Sequence, residues 1–567
     1  MAFGADWPQW GHDQNHTGAT SAVGQNLNTI LADIVYDPFV AQEQADPNGD
    51  NDLLAHFQTP LVDGNDVFME FKSGNFTTIK QWGTQTWNER RLNWQGGQLL
   101  TVWNYASDWK PVPFDPSGVG PQWEPVFHAV LVGSFVYVPG FGGTIYKLNR
   151  ADGSVAAQIN PFGSPIKSNI YVSGPISADG AGNVYYNAIK LNSGNPWDKD
   201  VLDSWLVKVT ASGTASKVSY STLVPGSPSA TDPCKLSFDP KKDPLPWPPS
   251  PTAQPATTPC GSQRPGINVA PAIAADGTIY SVTRAHLVTR YNYVVAVNSN
   301  LTPKWNASMR GHLSDGCGVP VSAGGQLPPN GAPGGCRAGS ALGVDPGTNE
   351  APPGRVLDDS SSSPVIAPDG SVLYGSYTRY NYAQGHIFHF AANGTFLNAF
   401  QFGWDDTPGI YSHDGTYSVV TKDNHYGEVG SYCNDPNFCP EDRTVANTDG
   451  YPEAYYVTQL SPAMTIEWSF QNSNTLACTR HPDNSVTCVS DHPNGFEWCV
   501  NAPAIDGVGV VYANSEDGNL FAINQGGTLK QKIFQQLAIG AAYTPASIGN
   551  DGKIYSQNDG HLYVVGN

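Results

Sequence analysis

The chain has 567 residues and a formal charge of −20, from 29 basic and 49 acidic side chains. Charged residues make up 14% and aromatics 11%, and there are 60 glycines and 46 prolines. This turn-rich composition excludes long helices, coiled coils and disorder. No basic stripe is available to release phosphate counterions, which argues against a nucleic-acid partner, and no run of about 18 apolar residues could span a bilayer.

In chain order, Met1–Asp6 lack the charged and apolar regions of a leader, so the protein is either cytosolic or has lost its leader. Trp7-Pro8-Gln9-Trp10-Gly11-His12-Asp13 follows, running to His16-Thr17-Gly18. Asp46-Pro47-Asn48-Gly49-Asp50-Asn51-Asp52 matches a calcium loop only loosely and reads as an ordinary turn. From Pro60 onward one phrase recurs: Pro, an apolar position, Asp-Gly, then an apolar pair ending in an aromatic. It begins at Pro60, Pro125, Pro175, Pro271, Pro364, Pro408, Pro503 and Pro545, giving eight copies. Pro271-Ala272-Ile273-Ala274-Ala275-Asp276-Gly277-Thr278-Ile279-Tyr280 is typical.

Each copy predicts a β-hairpin, because alternating apolar residues mark strands and Asp-Gly supplies a positive-φ turn. A second hairpin often follows, as in Ile145–Asn149 with Asp152-Gly153. Two hairpins make a four-stranded sheet of about 40 to 50 residues, the size of a propeller blade. The prolines are spaced between 42 and 96 residues apart, so the longer gaps carry insertions, near 225–266, 313–355, 422–453 and 472–498. After Tyr555 too little chain remains for a complete blade, and the N-terminal segment (1–55) must supply an outer strand. The expected fold is all-β: a single eight-bladed propeller of four-stranded antiparallel blades over 1–567, with disulfide-stapled loops.

The nine cysteines include four local couples, 234/260, 317/336, 433/439 and 478/488, each enclosing a turn-rich stretch. Disulfides in an oxidising compartment explain this pattern; zinc is the rival, but no Cys-x2-Cys spacing exists. Cys499 is left over, as a buried thiol. A secreted or periplasmic location follows. Five Asn-x-Ser/Thr sequons, at Asn15, Asn75, Asn300, Asn306 and Asn393, would matter only in a eukaryotic secretory pathway.

The Pro-x-Ile-x-x-Asp-Gly-x-Ile-Tyr phrase, with the Trp7–Gly18 opening, resembles the propeller repeat of pyrroloquinoline-quinone (PQQ) enzymes, a superfamily that includes outer-membrane assembly lipoproteins. The resemblance covers most of the chain outside the insertions and implies the fold more firmly than any activity. Quinone-dependent alcohol dehydrogenases of this superfamily carry a vicinal Cys-Cys pair beneath the quinone, and no two cysteines are adjacent here. No Cys-x-x-Cys-His haem site is present, and residues 1–30 hold no cysteine to carry lipid. PQQ is therefore not favoured.

In a propeller the residues before each innermost strand converge on one mouth of the central channel. Asp359, Asp406, Glu124 and His56 are the candidate catalytic groups there. Trp123, Asn169, Tyr171, Asn268, Asp358, Trp404, Asp405, Glu497, Trp498 and Tyr543 are candidate ligand contacts. Carboxylates with Asn and Ser oxygens suit a hard cation such as Ca²⁺, although no metal ligands are singled out; crowded carboxylates also suit acid/base work on glycosides, and indoles stack on sugar rings. The competing account has the Asp and Ser residues making turns and the Trp residues packing between blades. A second cluster, His413, Asp414, Asp423, Asn424, His425, Tyr426, Glu428, Asp435, Glu441 and Asp442, offers a His/Tyr pair for β-elimination, or simply a turn and a solvated loop.

Three readings follow. The first is an exported protein binding a small polar molecule, such as a saccharide, at the mouth, with a carbohydrate-active enzyme as its extension. The second is a quinoprotein dehydrogenase using PQQ and Ca²⁺. The third is a scaffold that contacts a protein partner through the ring edge or the long loops.

Overall fold

The structure is a computed structural model that describes residues 6–48, 58–115, 119–239, 241–319, 327, 329–332, 335–378, 380–381, 384–426, 453–538 and 545–567. Eight antiparallel sheets form a propeller ring, and each repeat proline stands before an innermost strand, where its missing N–H costs little. Blade 1 comprises Leu61–Asp63, Asp66–Gly74, Gln85–Gln95 and Gln98–Ala106; blade 2, Val130–Val132, Phe135–Pro139, Ile145–Asn149 and Val155–Ile159. Blades 3 to 7 begin at Ser177, Ala272, Val365, Gly409 and Ala504 and repeat the plan, with one extra short strand in each of blades 3 and 4, Ile170–Val172 and Gln263–Pro265.

Blade 8 is shared between the two ends of the chain. Ser547–Ile548, Ile554–Asn558 and His561–Gly566 come from the C-terminal end, and Thr29–Val35 adds antiparallel as the fourth strand. The borrowed strand carries a register shift between Ile30 and Ala32. The outer pair of blades 1, 2, 4, 5, 6 and 7 carries the same kind of irregularity, so the borrowed strand has the geometry of a native outer strand.

The inner turns explain the recurring Asp-Gly. Gly277, Gly370 and Gly552 lie at φ +81° to +82°, where a side chain would be strained. The preceding Asp276, Asp369 and Asp551 each accept a backbone N–H two residues on, at 2.9 to 3.0 Å. Middle strands such as Ile279–Ala285 are buried on both faces, because each sheet is covered by its two neighbours. Each large apolar side chain so buried contributes about 1.5–3 kcal/mol.

The N-terminal segment closes one end of the channel. Trp7 exchanges two backbone hydrogen bonds with Val62 of blade 1, and the Pro8 carbonyl accepts from Leu131 of blade 2. The Gln9 amide bonds Ala178 of blade 3 in both directions. Gln14, Asn15 and Thr17 carbonyls accept from Ile273, Ile366 and Ile410 of blades 4, 5 and 6, and Gly18 and Thr20 bond Ile505 of blade 7. Gln25 reaches Gly552 of blade 8. Asp13 folds the segment by accepting from Asn15 and Thr17. A Cβ on Gly11 would lie 2.8 Å from His16, and one on Gly18 would lie 2.5 Å from the Pro503 carbonyl oxygen. This seal lies at the Asp-Gly turns, which leaves the opposite end of the ring as the mouth.

Three of the four cysteine couples are disulfides: Cys234–Cys260, Cys317–Cys336 and Cys478–Cys488. Cys433 and Cys439 lie outside the described residues, while Cys499 is a buried thiol. Among the described residues, no helix is long and apolar enough to cross a membrane.

Candidate functional site

The loops entering the inner strands are tied to one another at the mouth. Asn268, held at φ +67°, accepts from Val126 N at 2.9 Å, while its own N–H reaches the Ser173 carbonyl at 2.6 Å. Ala270 N donates to Ser363 Oγ at 2.9 Å. Ser363 N donates to Thr407 Oγ1 at 3.0 Å and Asp406 N to Ser362 Oγ at 2.9 Å. Asp405 Oδ1 accepts from Ser361 N at 3.1 Å and from Asn501 Nδ2 at 3.0 Å. Gln122 N donates to Asp359 Oδ1 at 2.7 Å. Loops of blades 2 to 7 thus meet, and the Trp123 and Trp404 rings come to 6.1 Å with a 42° tilt. Below them Trp10, Val126, Ala270, Cys499, Ala538 and Val40 form one buried cluster, to which the N-terminal segment contributes Trp10 and Val40.

The carboxylates fall into three groups, each built around basic side chains. Lys72 Nζ, wholly buried, lies 2.6 Å from Asp37, 2.7 Å from Glu124 and 3.2 Å from Glu43. Burial acts to lower the Lys72 pKa, but the three carboxylates outweigh it and hold the ammonium charged. Asp37, Glu43 and Glu124 could on their own spacing hold a metal ion, yet the Lys72 ammonium already lies among them. Across the same strand pair Glu70 faces Glu89, and burial pushes both carboxyls well up.

In the second group Asp358 accepts from Arg264 Nη1 at 2.9 Å, Arg284 Nη1 at 3.0 Å and Ile267 N at 3.0 Å. Burial acts to raise its pKa, and the two guanidiniums outweigh it, holding the carboxyl below the usual range. Neighbouring Asp359 has no such clamp, and burial pushes it up to about 7. In the third group Lys422 acts on Asp405, Asp406 and Glu497. Burial, opposed chiefly by Lys422, pushes Asp406 up to about 7. Burial and the neighbouring Glu516 push Glu497 up to about 8. Cys499 Sγ reaches Glu516 at 3.3 Å and Tyr426 donates to Glu497 at 3.2 Å.

The structure therefore brings Trp123, Asn268, Asp358, Asp359, Trp404, Asp405 and Asp406 into one connected set, flanked by Glu124 and Glu497. Asn169 instead donates to the Leu191 carbonyl at 2.8 Å, and Tyr171 packs with Val112, Leu191 and Trp197; both engage blade 3 and its adjoining loop. Trp498 is buried between blades 6 and 7, with Nε1 on the Tyr455 carbonyl and its ring 4.9 Å from Phe521. His56 and Tyr543 lie outside the described residues. The second cluster is divided: His413 and Asp414 stand at the turn end of the long strand Thr416–His425, while Tyr426 lies at its mouth end. Glu428, Asp435, Glu441 and Asp442 lie outside the described residues.

Sequence reasoning missed Lys72, Arg284 and Lys422. Each lies near the mouth end of the second strand of its blade, in Asp66–Gly74, Ile279–Ala285 and Thr416–His425. Lys72 and Arg284 contact a carboxylate that precedes the next blade, Glu124 and Asp358, and Lys422 acts on Glu497 in the same relation. A basic residue closing a second strand, followed by an acidic residue before the next repeat proline, was the available signal.

No protein-family model and no curated protein sequence matches the chain. Among solved structures, a europium-containing methanol dehydrogenase is similar at 9% identity and TM-score 0.50, over 97% of this chain and 89% of that one. The quinohemoprotein alcohol dehydrogenase from Comamonas testosteroni is similar at 13% identity and TM-score 0.46, over 99% and 80%. BamB from Moraxella catarrhalis is similar at 12% and 0.40, over 94% and 98%. The likeness is one of fold.

Of the groups a quinone would rest on, the sequence holds no vicinal cysteine pair, and Trp123 and Trp404, 6.1 Å apart and tilted by 42°, leave no parallel slot for a flat ring between them.

Proposed function

We propose that this is an extracytoplasmic propeller that binds a polar, uncharged ligand of the saccharide class at the mouth of its channel. The observation that carries this reading is the pair of partly exposed indoles from blades 2 and 6, Trp123 and Trp404, beside the partly exposed Gln122 and Asp359. Indole faces pack on the C–H faces of sugar rings. Trp404 Nε1 is buried without an acceptor among the described residues, so the faces of the ring rather than its N–H are what it offers a ligand. Asp359, with a pKa of about 7, can donate or accept. The acid-rich surroundings disfavour an anion. The three disulfides support the compartment. No catalytic step is assigned: Glu124 is engaged by Lys72, and Asp359 and Asp406 bond to different loops.

The test is a glycan array read with the intact protein, followed by calorimetry on any hit with Trp123→Ala and Trp404→Ala. Binding that weakens at least tenfold in both variants supports the reading. An array without binders, or variants that bind as well as the parent, refutes it.

The stapled hairpin favours a second reading, a protein partner. Val486–Ser490 pairs with Leu476–Arg480 on one side and is exposed along its length, with Val489 65% exposed, so a partner strand could extend it. Pull-down of a partner by the parent but not by Val489→Lys supports this; equal capture by both removes it.

A further inference from the structure

Two of the stapled insertions meet over the outer strands of blade 4 and enclose a cleft of about 830 Å³, the size of a small-molecule site. One wall belongs to the loop closed by Cys234–Cys260 and includes Ser227 and Asp232. The other is Glu350, which follows the loop closed by Cys317–Cys336. The floor holds Tyr293 of the strand Asn292–Val297 and Ser308 of Pro303–Ser308, which stand opposite each other in register. The cleft is made by the insertions, not by the propeller repeat alone.

Arg310, at its edge, is held in one orientation. Its guanidinium lies 3.9 Å over the Tyr291 ring, and Nη2 donates to Glu350 Oε2 at 3.1 Å. Tyr291 is fixed in turn, because its hydroxyl accepts from Lys235 N at 2.9 Å. Arg310 Nε and Nη1 meet no acceptor among the described residues. The hydroxyls of Tyr293 and Ser227 likewise bond nothing there, and Ser308 Oγ accepts from Arg310 N at 3.2 Å without donating. Asp232 spends Oδ2 on Ser229 N at 2.8 Å and leaves Oδ1 open.

Charge narrows the ligand. Lys235 and Arg310 share the single carboxylate of Glu350. Behind them, burial and the like charges of Arg355 and Arg310 pull the Arg290 pKa down to about 9, opposed by Asp345. Lys235, Arg290, Arg310 and Arg355 thus stand against Asp232, Asp345 and Glu350. That is one positive charge in excess, within a chain of net charge −20. A monoanion balances it on the open edge of Arg310, but a bare oxyanion gives Asp232 nothing to accept. A neutral sugar leaves the excess charge unmet. A ring bearing one carboxylate and several hydroxyls uses both.

We propose that this cleft binds an acidic saccharide of the uronate class, with its carboxylate on Arg310 and its hydroxyls shared among Tyr293, Ser308 and Asp232. The site is separate from the mouth, so it stands or falls independently of the neutral-ligand reading.

The experiment is calorimetry at low salt on the full chain under non-reducing conditions, with tetramers of galacturonate, mannuronate and glucuronate as probes. The expected result is one-to-one binding of at least one uronate, weakened at least tenfold in its methyl ester and in Arg310→Gln. Tyr293→Phe weakens it about threefold, the loss of one neutral hydrogen bond. Lys304→Gln, the same charge change elsewhere on blade 4 beside Asp276, leaves the titration unchanged. Circular dichroism verifies each fold. Absence of binding by all three uronates overturns the proposal, as does a methyl ester that binds as well as its acid. Undiminished binding in folded Arg310→Gln also overturns it. If Arg310→Gln does not fold, Tyr293→Phe decides, since it removes only a hydroxyl: weaker binding supports the site and equal binding overturns it. Hexa-aspartate bound as tightly as the uronate makes the occupant an acidic peptide. A loss in Trp123→Ala equal to that in Arg310→Gln moves the ligand to the mouth. Either result overturns the assignment.

Discussion

Replacing Lys72 with Met keeps the length and apolar stem of the side chain but removes the one cation shared by Asp37, Glu43 and Glu124. At 2.6 to 3.2 Å and an effective dielectric of about 20, each contact carries a gross attraction of about 5–6 kcal/mol. Desolvation and mutual repulsion among the carboxylates, whose candidate ligand oxygens lie within 4.8 Å of one another, cancel much of it. Removing one partner from a buried pair typically costs about 3–5 kcal/mol, and here three carboxylates lose the same cation at once. Lys72→Met should therefore lose at least about 3 kcal/mol in urea unfolding at pH 7.5. The deficit should shrink at pH 5, where stranded carboxyls can take up protons. A loss below about 1 kcal/mol, or a deficit that does not change with pH, would show that the ammonium is not what neutralises this cluster.

Four further outcomes are expected. Trp10→Ala empties the base of the axial cluster and should cost about 3–5 kcal/mol by chemical denaturation; a change below about 1 kcal/mol would mean the N-terminal seal is incidental. Burial holds His16 and His128 near a pKa of about 4, and burial with the Arg264 charge holds His286 near about 3. Their folded values lie below the unfolded 6.5, so the stability they contribute is present above pH 6.5 and lost as pH falls through about 4; each of the first two represents about 3 kcal/mol, read as the difference in slope from pH 7 to 4 between the parent and His16→Gln or His128→Gln, and equal slopes would contradict it. Asp359 has the opposite sign: its folded pKa of about 7 lies above the unfolded value, so its contribution is present below pH 3.8 and disappears as pH rises through 7. Asp359→Asn should flatten that slope between pH 4 and 7, measured by thermal melts. Paired serine substitution of Cys234 and Cys260, 26 residues apart, should cost about 3 kcal/mol, checked by urea unfolding under non-reducing conditions.

The ring was legible because the signals that specify it are local: a proline at the strand start, an Asp-Gly turn and an apolar pair all lie within about twelve residues. The N-terminal phrase was legible as a signature, but its work was not, because its partners are hundreds of residues away; Gly24 N donates to Asp506 across 482 positions. The basic residues at the mouth stayed hidden for a different reason. Alternation places charged strand residues in solvent when one face of a sheet is wet. In this ring both faces of a blade are covered, so Phe68, Glu70 and Lys72, all in phase on one strand, are buried together. The same geometry sorts the mouth acids. Glu124 and Asp358 each meet a cation from the end of the preceding blade's second strand and are spent on holding adjacent blades together. Asp405 and Asp406 share Lys422 with Glu497, and Asp359 accepts from a backbone amide and has no contact within ion-pair distance of a base among the described residues. Burying these acids under a pair of partly exposed indoles carries a desolvation cost, visible in their raised pKa values, that a bound ligand can offset, and this is the physical reason to look for chemistry between blades 2, 5 and 6 rather than around the whole rim.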